Sequence, residues 1–106
     1  MKLTAEQIVQ NWERLLEVIK TEFTGERQTK LLSMYTDLED RMSTQPASSI
    51  DHYHNAFDGG YVDHVLRVIE CAHEVYDLWT RMGADMSGYT KEELIFVALN
   101  HDIGKM

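Results

Sequence analysis

In the first 43 residues, hydrophobic positions recur among polar ones with the period of an α-helix. Thr4 and Gln7 have the spacing of a capping box, which predicts that a helix begins after Thr4. Two series of apolar residues follow, one on each side of Thr24-Gly25: Ile8, Trp12, Leu15, Ile19 and Phe23, then Leu31, Tyr35, Leu38 and Met42. We expect residues 1–43 to form an antiparallel hairpin of two amphipathic helices with a structural role.

The helical pattern lapses between residues 43 and 60. Residues 43–49 and Gly59-Gly60 favour turns. Between them lies a polar stretch that contains His52 and His54, and it is unusually rich in histidine for a connector. Because loops carry functional side chains more often than cores do, this stretch is a candidate contributor to a site.

A long amphipathic helix is predicted from Tyr61 to Gly83. Its polar stripe comprises Asp63, Arg67, Glu70, Glu74, Asp77 and Arg81, and its core-facing stripe comprises Val65, Val68, Ala72, Val75, Tyr76 and Trp79. His64 lies at the edge of the apolar stripe, whereas His73 follows nine residues later and points to the opposite side. One metal ion could therefore be reached by His64 but not also by His73, which we interpret as a bystander.

The last predicted helix opens with another capping box, Thr90 and Glu93. Residues 94–99 are apolar all round, which predicts a central, fully buried helix, and Gly104 suits its C-terminal stop. The fold class that follows is all-α, a helical bundle of about four helices.

Asn100, His101 and Asp102 end this helix, where polar side chains need partners. An imidazole nitrogen beside a carboxylate oxygen suits a divalent cation. The alternative is structural, with Asp102 bonded to the backbone and His101 a satisfied core residue.

The net charge of −8 disfavours nucleic-acid coating and anionic membrane surfaces, but a bound cation would still allow a small phosphate substrate. The single cysteine, Cys71, excludes an internal disulfide framework and a thiolate zinc site. The N-terminal residues do not have the pattern of a signal peptide, and no apolar run in the sequence approaches membrane-spanning length. We expect a cytoplasmic protein with no membrane partner.

The spacing of histidines and glycines resembles the HD superfamily of metal-dependent phosphohydrolases. The matching strings are His54-Asn55-x-x-x-Gly59-Gly60-x-x-x-His64 and His101-Asp102-Ile103-Gly104-Lys105, within residues 52–105. They look most like a subgroup that includes certain bacterial 3′-to-5′ exoribonucleases and related phage and bacterial proteins. On this resemblance, residues 44–106 are the first part of an HD domain, a loop and two helices that carry the metal ligands.

The resemblance implies a role for each matching residue. His64, His101 and Asp102 would bind a divalent metal ion (Mn, Mg, Fe, Ni or Zn), with Asp102 and Lys105 as catalytic residues. Lys105 would also lie near the substrate phosphate, where it would offset negative charge, although a cation is favoured at a helix C-terminus in any case. His54 would contact the phosphate or orient other groups, or else cap its loop.

The chain departs from the family pattern after Met106, because the later Asp of the motif is not part of it. We therefore expect the front part of an HD domain, inactive by itself. We also expect a homo-oligomer held through exposed apolar helix faces.

Three functions fit these observations. The first is hydrolysis of a phosphoester in a phosphorylated small molecule, a nucleotide or an oligonucleotide. The second is a di-iron oxygenase of the HD type, which needs further histidines after the His-Asp pair. The third is a helical interaction or regulatory module with an incomplete metal site.

Overall fold

The computed structural model describes residues 2–47, 57–88 and 90–103. This part of the chain contains five helices and no strand, which confirms the all-α prediction. The chain divides into two compact units, the first up to His64 and the second from Val65 onward. The division falls inside one continuous helix, so that helix belongs to both units. The separate prediction of a domain boundary after residue 43 stays a prediction.

The first unit begins with helix α1, Ala5–Glu22, which packs against helix α2, Gly25–Asp37. The predicted capping box of Thr4 and Gln7 is present, with both side chains bonded to the other residue's backbone. Beyond the C-terminus of α1, the Gln28 amide donates to the carbonyls of Lys20 and Phe23. These bonds satisfy carbonyls that a helix end leaves without partners, so they brace the α1–α2 turn.

Apolar residues predicted for the hairpin do form the interior of the first unit. Those that are buried in α1, α2 and the adjoining residues are Trp12, Leu15, Ile19, Phe23, Leu31, Tyr35 and Met42. Burial raises the pKa of the Tyr35 phenol above its ordinary value, and the nearby Tyr61 phenol raises it further.

The second predicted helix is in fact divided. Its backbone breaks at Leu38, where φ is −98° and ψ is 2°, and the short helix α3, Glu39–Met42, follows. Leu38 is half-buried and Met42 fully buried. The apolar spacing is the same with or without this break, so the pattern alone predicted one helix where the structure has two.

Helix α4, Gly60–Arg81, begins one residue before the predicted start and is anchored by the segment after α3. The backbone N–H of Gly59 donates to the carbonyl of Thr44, at 2.9 Å, and the N–H of Tyr61 donates to that of Gln45, at 2.8 Å. Both bonds involve the start of the helix, where backbone N–H groups lack partners within the helix. The sequence motif Gly59-Gly60 is therefore the point at which α4 is joined to the first unit.

The core-facing stripe predicted along α4 is correct only for its first half. Val65 is buried, and Val68 and Ala72 are half-buried, but Val75 is 39% exposed and Trp79 is 49% exposed. The prediction that these last two residues face a core is wrong in this structure. A helical period shows which residues share a face, but whether another element covers that face is decided by the fold.

Helix α5, Lys91–Asn100, has the predicted capping box between Thr90 and Glu93. It buries Ile95, Ala98 and Leu99, but Val97 is 63% exposed. The prediction of a fully buried helix is therefore wrong, because one side of α5 lies open. Gly104, predicted to stop this helix, lies outside the described residues.

Removing the α5 cap should destabilise the unit that contains the helix. We expect Thr90→Ala to lower the free energy of unfolding by about 1 kcal/mol, because the Glu93 N–H loses its acceptor. Thr24→Ala is a matched control, since the Thr24 side chain makes no capping hydrogen bond to α2. Urea unfolding followed by circular dichroism measures both, and equal losses in the two variants would contradict the assignment.

No helix in the described ranges is long and apolar enough to cross a membrane.

Candidate metal centre

His64 lies on α4, early in the helix, where the neighbouring residues Val62 and Val65 are buried. Its side chain is half-buried. A histidine at this place has part of its ring shielded and part accessible to a ligand. Because α4 continues without a break into the second unit, His64 is held by the same helix that approaches α5 further along.

His101 and Asp102 lie where α5 ends. Asn100 is the last helical residue, and its amide donates to the carbonyl of Phe96 at 2.9 Å. His101 keeps helical dihedral angles, φ −60° and ψ −29°, and the chain then turns. The two side chains therefore leave the last turn of a helix whose own end is partly satisfied by Asn100.

Helix α5 has a side-chain contact at its beginning and carries the two cluster residues at its end. At its beginning, the Lys91 ammonium contacts a carboxylate oxygen of Asp77 at 3.0 Å and lies 5.7 Å from the centre of the Tyr76 ring. At its end, His101 and Asp102 come close to His64. The ion pair therefore joins the beginning of α5 to α4.

Three side chains predicted from the sequence converge. His64, His101 and Asp102 each offer one ligand atom, and these atoms all lie within 4.8 Å of one another. Within the described ranges, these three residues form the one group of at least three His, Cys, Asp or Glu side chains that could hold a metal ion. Ligand atoms about 2.1 Å from one ion are about 3.0 to 3.4 Å apart, so an ion would draw a pair separated by 4.8 Å closer by roughly 1.5 Å.

The hydrogen bond of His101 defines which ring nitrogen can bind a metal ion. Nδ1 lies 2.7 Å from the carbonyl oxygen of Ala98. A carbonyl oxygen can only accept a hydrogen bond, so Nδ1 carries a hydrogen and donates it. In the neutral ring, Nε2 then has a free lone pair, which is the arrangement that metal-binding histidines obtain from a backbone carbonyl.

Nε2 of His101 and Oδ2 of Asp102 are close enough to share a proton or a cation. The two atoms are 3.1 Å apart, and the side chains are 30% and 24% exposed. With Nδ1 protonated, a neutral ring would turn its lone pair toward an anionic oxygen, which is repulsive. A proton on Nε2 or a cation beside both atoms removes the repulsion. The separation equals that of neighbouring ligands on one ion.

The donor set fits a divalent metal ion. Two imidazole nitrogens and one carboxylate oxygen are ligands that Zn, Fe, Mn and related ions accept. Three protein ligands leave coordination positions for water or a substrate oxygen, which is the arrangement of catalytic sites rather than closed structural ones. The half-buried surroundings give such an ion contact with solvent.

The other histidines predicted to matter are placed differently. His73 is half-buried on α4 and is not in the cluster, in agreement with its position nine residues after His64. His54, predicted to contact substrate, and Lys105, predicted to be catalytic and to bind phosphate, lie outside the described residues, as does His52.

Two contacts of α5 and its C-terminal end were missed in the sequence. One is the bond from His101 to the Ala98 carbonyl, although a polar residue just past a helix end often bonds the carbonyl three residues earlier. The other is the Lys91–Asp77 ion pair, which joins positions fourteen residues apart and left no signal in the local pattern.

Comparison with known proteins identifies no relative: no protein-family model matches the chain, and neither a curated protein nor a solved structure does.

Proposed function

We propose that the chain binds one divalent metal ion through His64, His101 and Asp102 and serves the hydrolysis of a phosphoester. The observation that carries the proposal is the convergence of these three ligand atoms, all within 4.8 Å, from the ends of two helices that are distant in sequence. The resemblance of the His64 and His101-Asp102 strings to HD phosphohydrolases supports the reaction class.

Each ligand has a separate task in this proposal. His101 presents Nε2, because Ala98 holds the hydrogen on Nδ1. Asp102 supplies the anionic charge that a cation needs beside two neutral rings. His64 contributes the nitrogen from α4, so the ion also joins α4 to the end of α5. A divalent ion held here would lower the pKa of a bound water and offset negative charge on a phosphoryl group.

A phosphate substrate is compatible with the acidic chain only where the local electrostatic potential is positive. The net charge of −8 repels anions at long range. A divalent cation at the centre would make the local field positive, as bound cations do in other sites. The proposal is therefore a small phosphoester that binds at the ion, within the class of nucleotides or oligonucleotides.

Metal content and hydrolysis test the proposal together. The chain would be dialysed against Mn²⁺ or Zn²⁺, and bound metal would be measured by plasma mass spectrometry. We expect about one equivalent per chain, the number that one set of three ligands supports. Cleavage of p-nitrophenyl phosphate and bis(p-nitrophenyl) phosphate would then be followed with metal, with metal and EDTA, and with His101→Ala.

The outcomes separate metal binding from catalysis. Hydrolysis that needs metal and is lost with EDTA and in His101→Ala supports the whole proposal. One equivalent of metal without hydrolysis of either ester would agree with the expectation that the chain is inactive by itself, and the assigned reaction class would then be overturned if inorganic phosphate did not bind the metal-loaded chain. A real site fills when the metal is saturating. Less than about a tenth of an equivalent of bound metal would therefore overturn both the metal centre and the assigned reaction.

A further inference from the structure

A row of large apolar side chains on the second half of α4 lies open to solvent. Val75, Leu78 and Trp79 are 39%, 45% and 49% exposed, and Met82, which continues the last turn, is 77% exposed. Their spacing of three, one and three residues places all four on one side of the helix. We call this row the α4 stripe.

Helix α5 does not cover the α4 stripe. Lys91 contacts Tyr76 and Asp77. At about 100° per residue, Asp77 lies on the side of α4 opposite to Val75 and Met82, and Tyr76 lies between the two sides. The ion pair thus holds the beginning of α5 behind the stripe. Contiguous exposed apolar side chains of this size mark an interaction surface.

The α4 stripe has the positions of a short coiled-coil seam. With Val75 and Met82 at the a position of a heptad, Leu78 takes d, and the preceding d is Cys71, which is also exposed. The g positions beside this seam are Glu74 and Arg81, both exposed and opposite in charge.

The flanking charges decide both the partner and its direction. In an antiparallel pair of identical helices, g positions face g positions, so Glu74 of one copy meets Arg81 of the other, twice by symmetry. In a parallel pair, g faces e, and Glu74 would meet Trp79 instead. Opposite charges at these positions therefore favour a second copy of this chain in the antiparallel direction.

Side-chain sizes agree with the same register. Layers of a against d place Val75 opposite Leu78 of the other copy, and Met82 opposite Cys71. The e positions then bring the large Trp79 over the small Ala72, which is half-buried. Large and small side chains face each other, so the two helices can approach closely.

We propose that the chain forms an antiparallel homodimer through the α4 stripe. The seam covers about three helical turns. A contact of that length buries less surface than the roughly 1,200 Å² of a stable interface. The dimer is therefore weak and reversible, and it forms as the protein concentration rises. The proposal does not depend on the metal centre.

Charge exchange tests the direction and the partner. Sedimentation velocity over a range of concentrations should show a monomer–dimer equilibrium. Glu74→Arg and Arg81→Glu should each weaken association at least about tenfold, because each places like charges across the seam. The double variant carrying both changes should restore it. These residues are exposed, so circular dichroism should be unchanged.

A cysteine pair tests the register. Met82→Cys places a thiol opposite the native Cys71 of the other copy, so oxidised glutathione should give a covalent dimer on a non-reducing gel. Within one chain these positions are about 16 Å apart along the helix, too far for a disulfide. Thr80→Cys, on the other side of α4, is the control and should stay monomeric.

Three results would overturn the homodimer. They are a monomer at all concentrations, failure of the double charge variant to restore association, and equal cross-linking of Met82→Cys and Thr80→Cys. Association that Leu78→Ala does not weaken would place the contact elsewhere on the chain.

Discussion

Replacing His101 by alanine should lower the affinity for a divalent ion at least about 100-fold. The estimate follows from the loss of groups that only orient a ligand, which costs about 10 to 100-fold, and His101 is itself a ligand in the proposal. The substitution also removes the ring that bonds the Ala98 carbonyl. Isothermal titration with Mn²⁺ or Zn²⁺ measures the change.

His64→Ala and Asp102→Asn should lower the affinity in the same way. Asp102→Asn keeps the size of the side chain and removes the charge that lies 3.1 Å from His101. His73→Ala is the control, because it removes a histidine from the same helix without touching the cluster. A comparable loss in His73→Ala, or full affinity in Asp102→Asn, would contradict the ligand set.

Thermal stability gives a second measure of the same site. A ligand that binds only the folded chain adds about 2.7 kcal/mol at a concentration 100 times its dissociation constant. The melting temperature of the native chain should therefore rise with added metal, while the three ligand variants should show no rise. If the ligand variants melt like the native chain without metal, loss of binding cannot be ascribed to unfolding.

Gly59→Ala should destabilise the first unit by about 2 to 5 kcal/mol. Gly59 has φ of +80°, where a side chain costs about 1 to 2 kcal/mol. A β-carbon there would also lie 2.7 Å from Cγ1 of Ile8 and 3.3 Å from Cδ1 of Leu3. Forcing such a contact adds about 1 to 3 kcal/mol. Urea unfolding at fixed pH gives the difference.

Gly25→Ala separates the two causes. Gly25 belongs to the same unit and has φ of +61°, but a β-carbon there would meet nothing within 4 Å. We expect only the backbone cost of about 1 to 2 kcal/mol. Equal losses in the two variants would show that the approach of Ile8 to Gly59 carries no energy.

The local signals in the sequence predicted the helices well. Both capping boxes are present, and α4 and α5 begin within one residue of their predicted starts. These features depend on side chains that bond the backbone three residues away, so neighbouring residues alone specify them. Gly59-Gly60 was interpreted as a turn, and its steric role was missed because Ile8 is distant in sequence.

Coverage of the helix faces could not be predicted in the same way. The stripe containing Val75 and Trp79, and the open side of α5 at Val97, have the composition of buried faces. A hydrophobic period gives the direction of a side chain, whereas burial depends on which other element lies there. The helix break at Leu38 was missed because the spacing of apolar residues around it is the same with or without a break.

The sequence by itself determined an all-helical chain, the places where its main helices begin, and the candidate ligands His64, His101 and Asp102, with His73 set apart by helix geometry. Tertiary structure alone decided that the three ligand atoms lie within 4.8 Å. His64 and His101 are 37 residues apart in the chain, and no local pattern records which helices come together over that separation. Tertiary structure also gave His101 its ring orientation through Ala98.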